Sequence, residues 1–488
     1  MIRPIVIDFC GQMGYHGISF GPSAAQERMM NMDWRALLSP YQDRLVHSLQ
    51  SCIRIPSVYA DDGSGHPYGQ PVHDCLQYML KLSSDMGFAT GSCDGHVGWC
   101  EYGEGEEMVA VLGHLDVVPA GEGWSVDPFG GDLKDGRVYG RGSMDDKGPT
   151  MAALYALLAL KEAGLPLKRR IRILYGLNEE TGSADMKYYL KHGGEVPVMG
   201  ITPDGEYPVI NGEKGLVTEY YDCRLSQSGP IRLKELSGGA AHNIVPDHAA
   251  AVLACTSALA AQIAAMTAEQ VTVSPVDGGV RIEAPGVNAH GGSPWEGENA
   301  VGRLLLFLDR LPLEGGLQKA VHALAAGIGM EWDGASLGIA MEDALSGKLT
   351  LNLGVVSFDG ETLQARLNYR YPVTRTFDEC GPQVEQAMAR GGFVRSYQLH
   401  KSRIYMPPDS PLVRTLLRVY SDYTGQPAQP KCIGGGTYAK MIPNTLAFGP
   451  IFPGDEVREH KPDEYMEVSR LMDNAAILAH AMYELANG

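Results

Sequence analysis

Apolar positions along the chain follow two different rhythms. In the first, short continuous apolar runs alternate with amphipathic stretches. "EMVAVLGHLDVVP", "RRIRILYGLNEE" and "VPVMGITPDGEYP" have the continuous apolar character of strands buried on both faces. Helical stretches lie around them. "LLSPYQDRLVHSLQSCIRIPSV" leads in, "PVHDCLQYMLKLSSDMG" stops at Gly87, and "GPTMAALYALLALKEAG" opens on Gly-Pro and closes on Gly164. Strand, helix and strand on this spacing predict an α/β fold, a mainly parallel sheet with helices on both faces.

The second rhythm begins near Val217. "VTEYYDCRLS" and "VTVSPVDGGVRIEAPG" alternate or turn as antiparallel strands do, and "LTLNLGVVSFDGETLQARLNYRYPV" is a hairpin about an Asp-Gly turn. "SALAAQIAAMTAEQ", "NAVGRLLLFLDRL" and "FDECGPQVEQAMARGG" are the helices between them. The expected organisation is a catalytic body over residues 33–218 and 403–488, with a two-lobed α+β lid inserted over 219–402. A final helix carries Val468, Leu471, Met472, Ala475, Leu478, Met482 and Leu485 on one stripe. Residues 1–32 lack any amphipathic period and end in Met29, Met30 and Met32. Translation is expected to start at one of these methionines, with the preceding residues untranslated or disordered.

Charge narrows the partners. There are 58 acidic and 40 Lys or Arg residues, a net charge of −18 that offers no basic field to a nucleic acid. The chain lacks an apolar run of membrane-spanning length and its first residues fail as a signal peptide, so a cytoplasmic protein without a membrane partner is expected. Nine scattered cysteines without a CxxC pair indicate neither a disulfide framework nor a thiolate metal site. Cys93 and Cys100 are the nearest pair; a loop disulfide is one reading and free thiols in a reducing compartment the other.

Candidate chemistry sits where the buried runs end. His114 and Asp116 follow "VAVLG"; imidazole suits zinc and similar metals, and a nearby carboxylate can hold the other ring nitrogen. Alone, the pair is equally a polar loop. Asp145 and Asp146 precede a helix and could cap it. Glu179 and Glu180 end a strand, and Asp204 sits in an Asp-Gly turn. Taken together, His114, Asp116, Asp145, Glu179, Glu180 and Asp204 fall at the carboxyl-terminal strand edge, where α/β sheets build their sites. Converging carboxylates raise one another's pKa and take up protons unless a cation offsets them, and a dinuclear metal centre is the simplest solution.

The ordered stretches "GHLDVVP", "YGRGSMDDKG", "LNEETGS", "TPDGEYP", "AHGGSPWEGENA" and "EHKPDE" resemble those of a dinuclear metallopeptidase family. That family includes carboxypeptidase G, the aminoacylases, the acetylornithine and succinyl-diaminopimelate deacylases and the PepV-type dipeptidases. The resemblance covers nearly the whole chain after about residue 35. It implies that His114 and Asp204 bind one metal, Glu180 and His460 the other, and Asp145 both. It further implies that Asp116 orients His114, that Glu179 is the general base, and that a cis peptide follows Asp145. His290 is implied as oxyanion donor, with Asn243 and Arg370 on a substrate carboxylate. Gly435, Gly436 and Thr437 fall in a glycine loop that can approach a peptide closely.

After Asn243 and Pro246 no Arg or Lys occurs until Arg281, and the suitable arginine, Arg370, comes in the second half of the insert. This resembles the PepV branch, whose lid imitates a dimer contact within one chain, and implies a monomer with a self-sufficient site. Two divalent cations per chain are expected, zinc first, with manganese and cobalt as alternatives. The expected activity is hydrolysis of dipeptides. The same fold also serves N-acyl amino-acid amidohydrolases. A catalytically silent metal- or peptide-binding protein is the reading from another class, and the retained base Glu179 argues against it.

Overall fold

In the computed structural model, residues 32–266 and 270–488 are described. Most of the expected leader therefore lies outside the described residues. Two sheets organise the rest. The first runs, edge to edge, through Ala89–Cys93, Val97–Tyr102, Arg170–Gly176, Met108–His114, Met199–Thr202, Thr445–Ala447, Ile210–Glu213 and Ile404–Tyr405, with Lys431–Ile433 also paired to Ile210–Glu213. Met108–His114 pairs in parallel with both Arg170–Gly176 and Met199–Thr202, and the latter with Thr445–Ala447. The four central strands are thus parallel, while Val97–Tyr102 and Ile210–Glu213 on either side of them run the opposite way, and Ala89–Cys93 and Ile404–Tyr405 pair antiparallel with these two.

Met108–His114 is buried throughout, and its residues divide by parity. Val109 and Val111 join the larger core with the helices Gln42–Ile53, Lys147–Glu162, Pro411–Thr424 and Val468–Asn487. Met108, Ala110 and Leu112 pack on the other side with Met186, Tyr189, Tyr438 and Ile442. Two covered faces explain why the sequence shows an unbroken apolar run rather than alternation.

The second sheet is antiparallel throughout, in the order Thr272–Val276, Gly279–Pro285, His248–Ala254, Arg232–Gly238, Thr350–Phe358, Thr362–Tyr371, Gly215–Arg224 and Val394–Lys401. The helices Ala300–Leu308, Gly315–Gly327 and Gly381–Arg390 complete a separate apolar core with it. The expected halves of the lid therefore share one continuous sheet. The chain leaves the first sheet after Glu213 and returns to it at Ile404, and Leu216 and Lys401 are register partners at the entrance to the second. Among the described residues all eight cysteines are free, Cys93 and Cys100 included.

Candidate metal centre and substrate cleft

Parallel register brings three strand ends to one edge: His114 lies opposite Gly176, and Val111 opposite Ile201. His114, the turn after Gly176 and the turn after Thr202 therefore converge. His114 Nδ1 donates to the Asp116 backbone carbonyl at 2.9 Å. In the neutral ring that bond leaves Nε2 with its lone pair. Nε2 is buried 2.9 Å from Asp145 Oδ1 and 3.9 Å from Asp204 Oδ2. Neither Nε2 nor Asp145 Oδ1 has a hydrogen-bond partner among the described residues. Asp145 Oδ2 faces the opposite way, 3.0 Å from His460 Nε2, which stands 3.1 Å from Glu180 Oε1.

This donor set fits divalent cations. A lone pair and a carboxylate oxygen at 2.9 Å repel unless something positive lies between or beside them. Imidazole and carboxylate ligands suit zinc and its neighbours. His114, Asp145 and Glu180 offer ligand atoms within 4.8 Å of one another, as do His114, Glu179 and Asp204. Burial lifts the Glu180 and Asp204 carboxyls above their ordinary range, and the Asp145 charge adds to both. Burial opposes ionisation of Asp145 too, yet His114 and His460 hold it below that range. Hydrogen bonds to Asp145 and Glu180 push His460 up to about 11.

The surrounding residues explain how the ligands are held. Glu464, fully buried, accepts the backbone N–H groups of Gly142 at 3.1 Å, Met144 at 2.8 Å and Asp145 at 3.2 Å, and its other oxygen takes Arg141 Nη1 at 2.6 Å. The Asp145–Asp146 peptide is cis. Asp146 points away from this cluster: its Oδ2 accepts the His114 N–H at 3.1 Å and the Thr150 hydroxyl at 3.0 Å. Of the adjacent aspartates, one braces the strand end and the other faces the site.

Asp116 has a second task beside the one the sequence suggested. Its Oδ1 is 3.5 Å from His114 Nδ1, but the two carboxylate oxygens accept the Glu179 and Glu180 N–H groups, each at 3.1 Å. The ring is held mainly by the backbone carbonyl, and the carboxylate bends the glutamate turn toward the cluster. Asp185 helps by accepting the Leu177 and Asn178 N–H groups at 2.7 and 3.0 Å and the Tyr438 hydroxyl. Gly176 is required there, since a Cβ would lie 2.2 Å from that hydroxyl. Burial pushes Glu179 up to about 8, against the pull of His114 and of Lys401 on the last lid strand.

The lid brings a second group of polar residues together. Ile244 and His290 form an antiparallel bridge, and the Gly291 N–H donates to the Asn243 carbonyl at 2.7 Å, so Asn243 and His290 are neighbours. Buried Asn352 donates to the carbonyls of His242 and Ile244 at 2.9 and 2.8 Å, bracketing Asn243. Arg370 Nη2 comes within 3.3 Å of His290 Nε2, and Nη1 donates to the Gly434 carbonyl at 2.8 Å. Arg370 is 3% exposed and has no carboxylate within ion-pair distance among the described residues. Burial pulls it down to about 10. Burial, and then the Arg370 charge, lower His290 to about 4.

Gly435 and Gly436 lie on the loop that begins at Gly434. Thr437 differs from expectation: it is buried, its hydroxyl donates to Glu213 at 2.8 Å, and the same oxygen accepts from Ala439 N–H at 3.1 Å. That hydroxyl is committed to holding the loop. Glu464, Asp185, Asn352 and Lys401 were missed in the sequence.

A model of peptidase family M20/M25/M40 matches residues 110–484. The chain belongs to that family. Among M20 relatives, YtjP of Bacillus subtilis (strain 168), classed provisionally as a dipeptidase, is 36% identical over 93% of this chain and 100% of its own length. The β-Ala-Xaa dipeptidase of Lactobacillus delbrueckii subsp. lactis is 32% identical, over 93% and 99%. Human carnosine dipeptidase 1 shares the M20 fold at a TM-score of 0.56 and 16% identity, covering 96% of this chain and 100% of its own. Among the described residues of this M20 chain no helix is long and apolar enough to cross a membrane.

Proposed function

We propose that this M20 enzyme is a metal-dependent dipeptidase that holds its substrate between the metal edge and the lid. The observation that carries this reading is Arg370, buried beside His290 and without a carboxylate partner among the described residues. The Gly292 N–H lies 3.3 Å from His290 Nδ1. Arg370, which can only donate, reaches the other ring nitrogen, Nε2, at 3.3 Å. With no carboxylate partner among the described residues, the buried guanidinium is a ready site for an anion. A dipeptide brings both a terminal carboxylate and, during reaction, an oxyanion. The β-Ala-Xaa dipeptidase named above supports the substrate class.

We assign two divalent cations to the cluster, zinc by preference, with Asp145 shared, His114 and Asp204 on one and Glu180 and His460 on the other. When bound, they supply Lewis acidity to the scissile carbonyl and acidify a water molecule. Glu179 takes the proton of the attacking water. Its raised pKa suits it to accept that proton and return it to the departing amine. Neutral His290 donates to the oxygen that gains charge, and Arg370 and Asn243 orient the carboxylate. The glycine loop offers backbone groups to the substrate, and Thr437 anchors it.

The deciding assay compares Ala-Xaa and β-Ala-Xaa dipeptides with N-acetyl amino acids on metal-loaded protein. Hydrolysis of the dipeptides alone is expected. Cleavage of the N-acetyl compounds alone would make the chain a deacylase, and metal binding without any cleavage would make it a binding protein. Arg370→Met is expected to raise KM by roughly 30-fold or more, the rough scale for losing a buried charge pair. A dipeptide amide should cost the parent enzyme a similar factor and the variant little; equal sensitivity in both would remove Arg370 from carboxylate recognition.

His290, Asn243 and Arg370 share the chain with the metal cluster. We propose a monomer, active in the cytoplasm. Light scattering on active fractions is expected to show one chain, whereas activity confined to a dimer would mean that lids are exchanged.

A further inference from the structure

Glu213 and Lys440 form an ion pair outside the reacting groups. Their side chains are 0% and 1% exposed, with Lys440 Nζ 3.8 Å from Glu213 Oε2. Burying two charges is costly, and an apolar pair of similar volume often serves stability as well or better. Burial lowers the Lys440 ammonium to about 8 and raises the Glu213 carboxyl. Specific placement is the remaining reason for such a pair.

The hydrogen bonds say what is placed. Lys440 Nζ donates to the carbonyls of Glu213 at 3.3 Å, of Lys214, and of Ser402 at 3.2 Å. Glu213 and Lys214 lie where the chain leaves the first sheet, and Ser402 where it comes back. One ammonium therefore grips both crossings. The Glu213 carboxylate meanwhile accepts the Thr437 N–H at 3.1 Å and the Thr437 hydroxyl at 2.8 Å, closing the glycine loop. Gly436 is part of the same packing: a Cβ there would lie 2.8 Å from Lys440 Cε and 3.2 Å from Cδ. Lys440 is pinned at its far end and cannot swing aside.

We propose that Glu213, Thr437 and Lys440 form a buried hinge clasp that fixes both crossings and the glycine loop in one arrangement, so that lid position and presentation of that loop to the dipeptide change together. Glu213 and Lys440 are positioning residues. The functional half of this inference rests on the dipeptidase reading above; the mechanical half does not.

Lys440→Met keeps the stem and removes the donors. Hydrogen exchange on the metal-loaded protein without substrate is expected to quicken by about tenfold or more, together, over residues 212–215, 401–404 and 434–437. Met108–His114 should stay protected. On Ala-Xaa dipeptides KM should rise by about tenfold or more with kcat within about threefold, the signature of lost binding rather than lost chemistry. Quickening confined to the Lys440 turn overturns the clasp, and so does a loosened hinge with unchanged KM. A chain that cleaves no dipeptide fails the dipeptidase reading alone, because the exchange result needs no turnover. Should Lys440→Met not fold, Thr437→Val replaces it. That variant keeps the lysine bonds, so exchange should quicken at 434–437 while the crossings stay protected and KM rises; an unchanged loop and KM overturn the proposal.

Discussion

Glu179→Gln is expected to keep its metals and lose kcat by about 10²–10⁴-fold, the range a positioned general base contributes. The amide preserves shape and the turn held by Asp116, whose bonds run to the backbone of residues 179 and 180 and not to their side chains. What disappears is the ability to take a proton. Metal content by mass spectrometry and single-turnover rates on one dipeptide are the two measurements. The contrast lies one residue on. Glu180→Ala removes the oxygen 3.1 Å from His460 and should empty one cation site. Loss of metal from Glu179→Gln would instead make Glu179 a ligand, a role its place near His114 and Asp204 allows on distance alone.

Asp145→Ala is expected to be more damaging. Each of its oxygens faces a different histidine, at 2.9 and 3.0 Å, so one substitution strips both cation positions. The loss in metal affinity should exceed the roughly 10–100-fold that removal of an outer partner costs. Activity should vanish with it while far-UV circular dichroism stays unchanged, because Glu464 grips this loop through backbone groups. A variant that holds both metals at the parent's affinity would rule out a shared carboxylate.

The metal edge was legible because three largely buried strands stop abruptly in polar residues, and a polar cluster after an apolar run marks an open strand end. His114, Asp145, Glu180, Asp204 and His460 do come together there. Their supports were not legible. Glu464 acts on a loop 319–322 positions away, a partnership that local pattern cannot encode. Asp116 is a subtler case: its carboxylate stands 3.5 Å from His114 Nδ1, the contact its place in the sequence suggested, but its bonds to the glutamate turn were not legible. Thr437 ends a glycine run and was read as facing substrate, but buried Glu213 turns it inward. The hairpin Ala89–Cys93 and Val97–Tyr102 also escaped notice. "ATGSC" is poor in β-branched residues, and Gly91 lies under the Trp99 ring, where packing across strands replaces intrinsic propensity.

The antiparallel entry and exit of the second sheet has a consequence for descent. Leu216 and Lys401 are neighbours in register, so the chain enters and leaves the insert at one place. A segment whose ends meet can lengthen, shrink or be exchanged without re-ordering the strands of its host. The metal edge and the lid can therefore change at separate tempos. Substrate range is then free to drift by rewriting one cassette, while the hydrolytic edge beneath it is inherited intact.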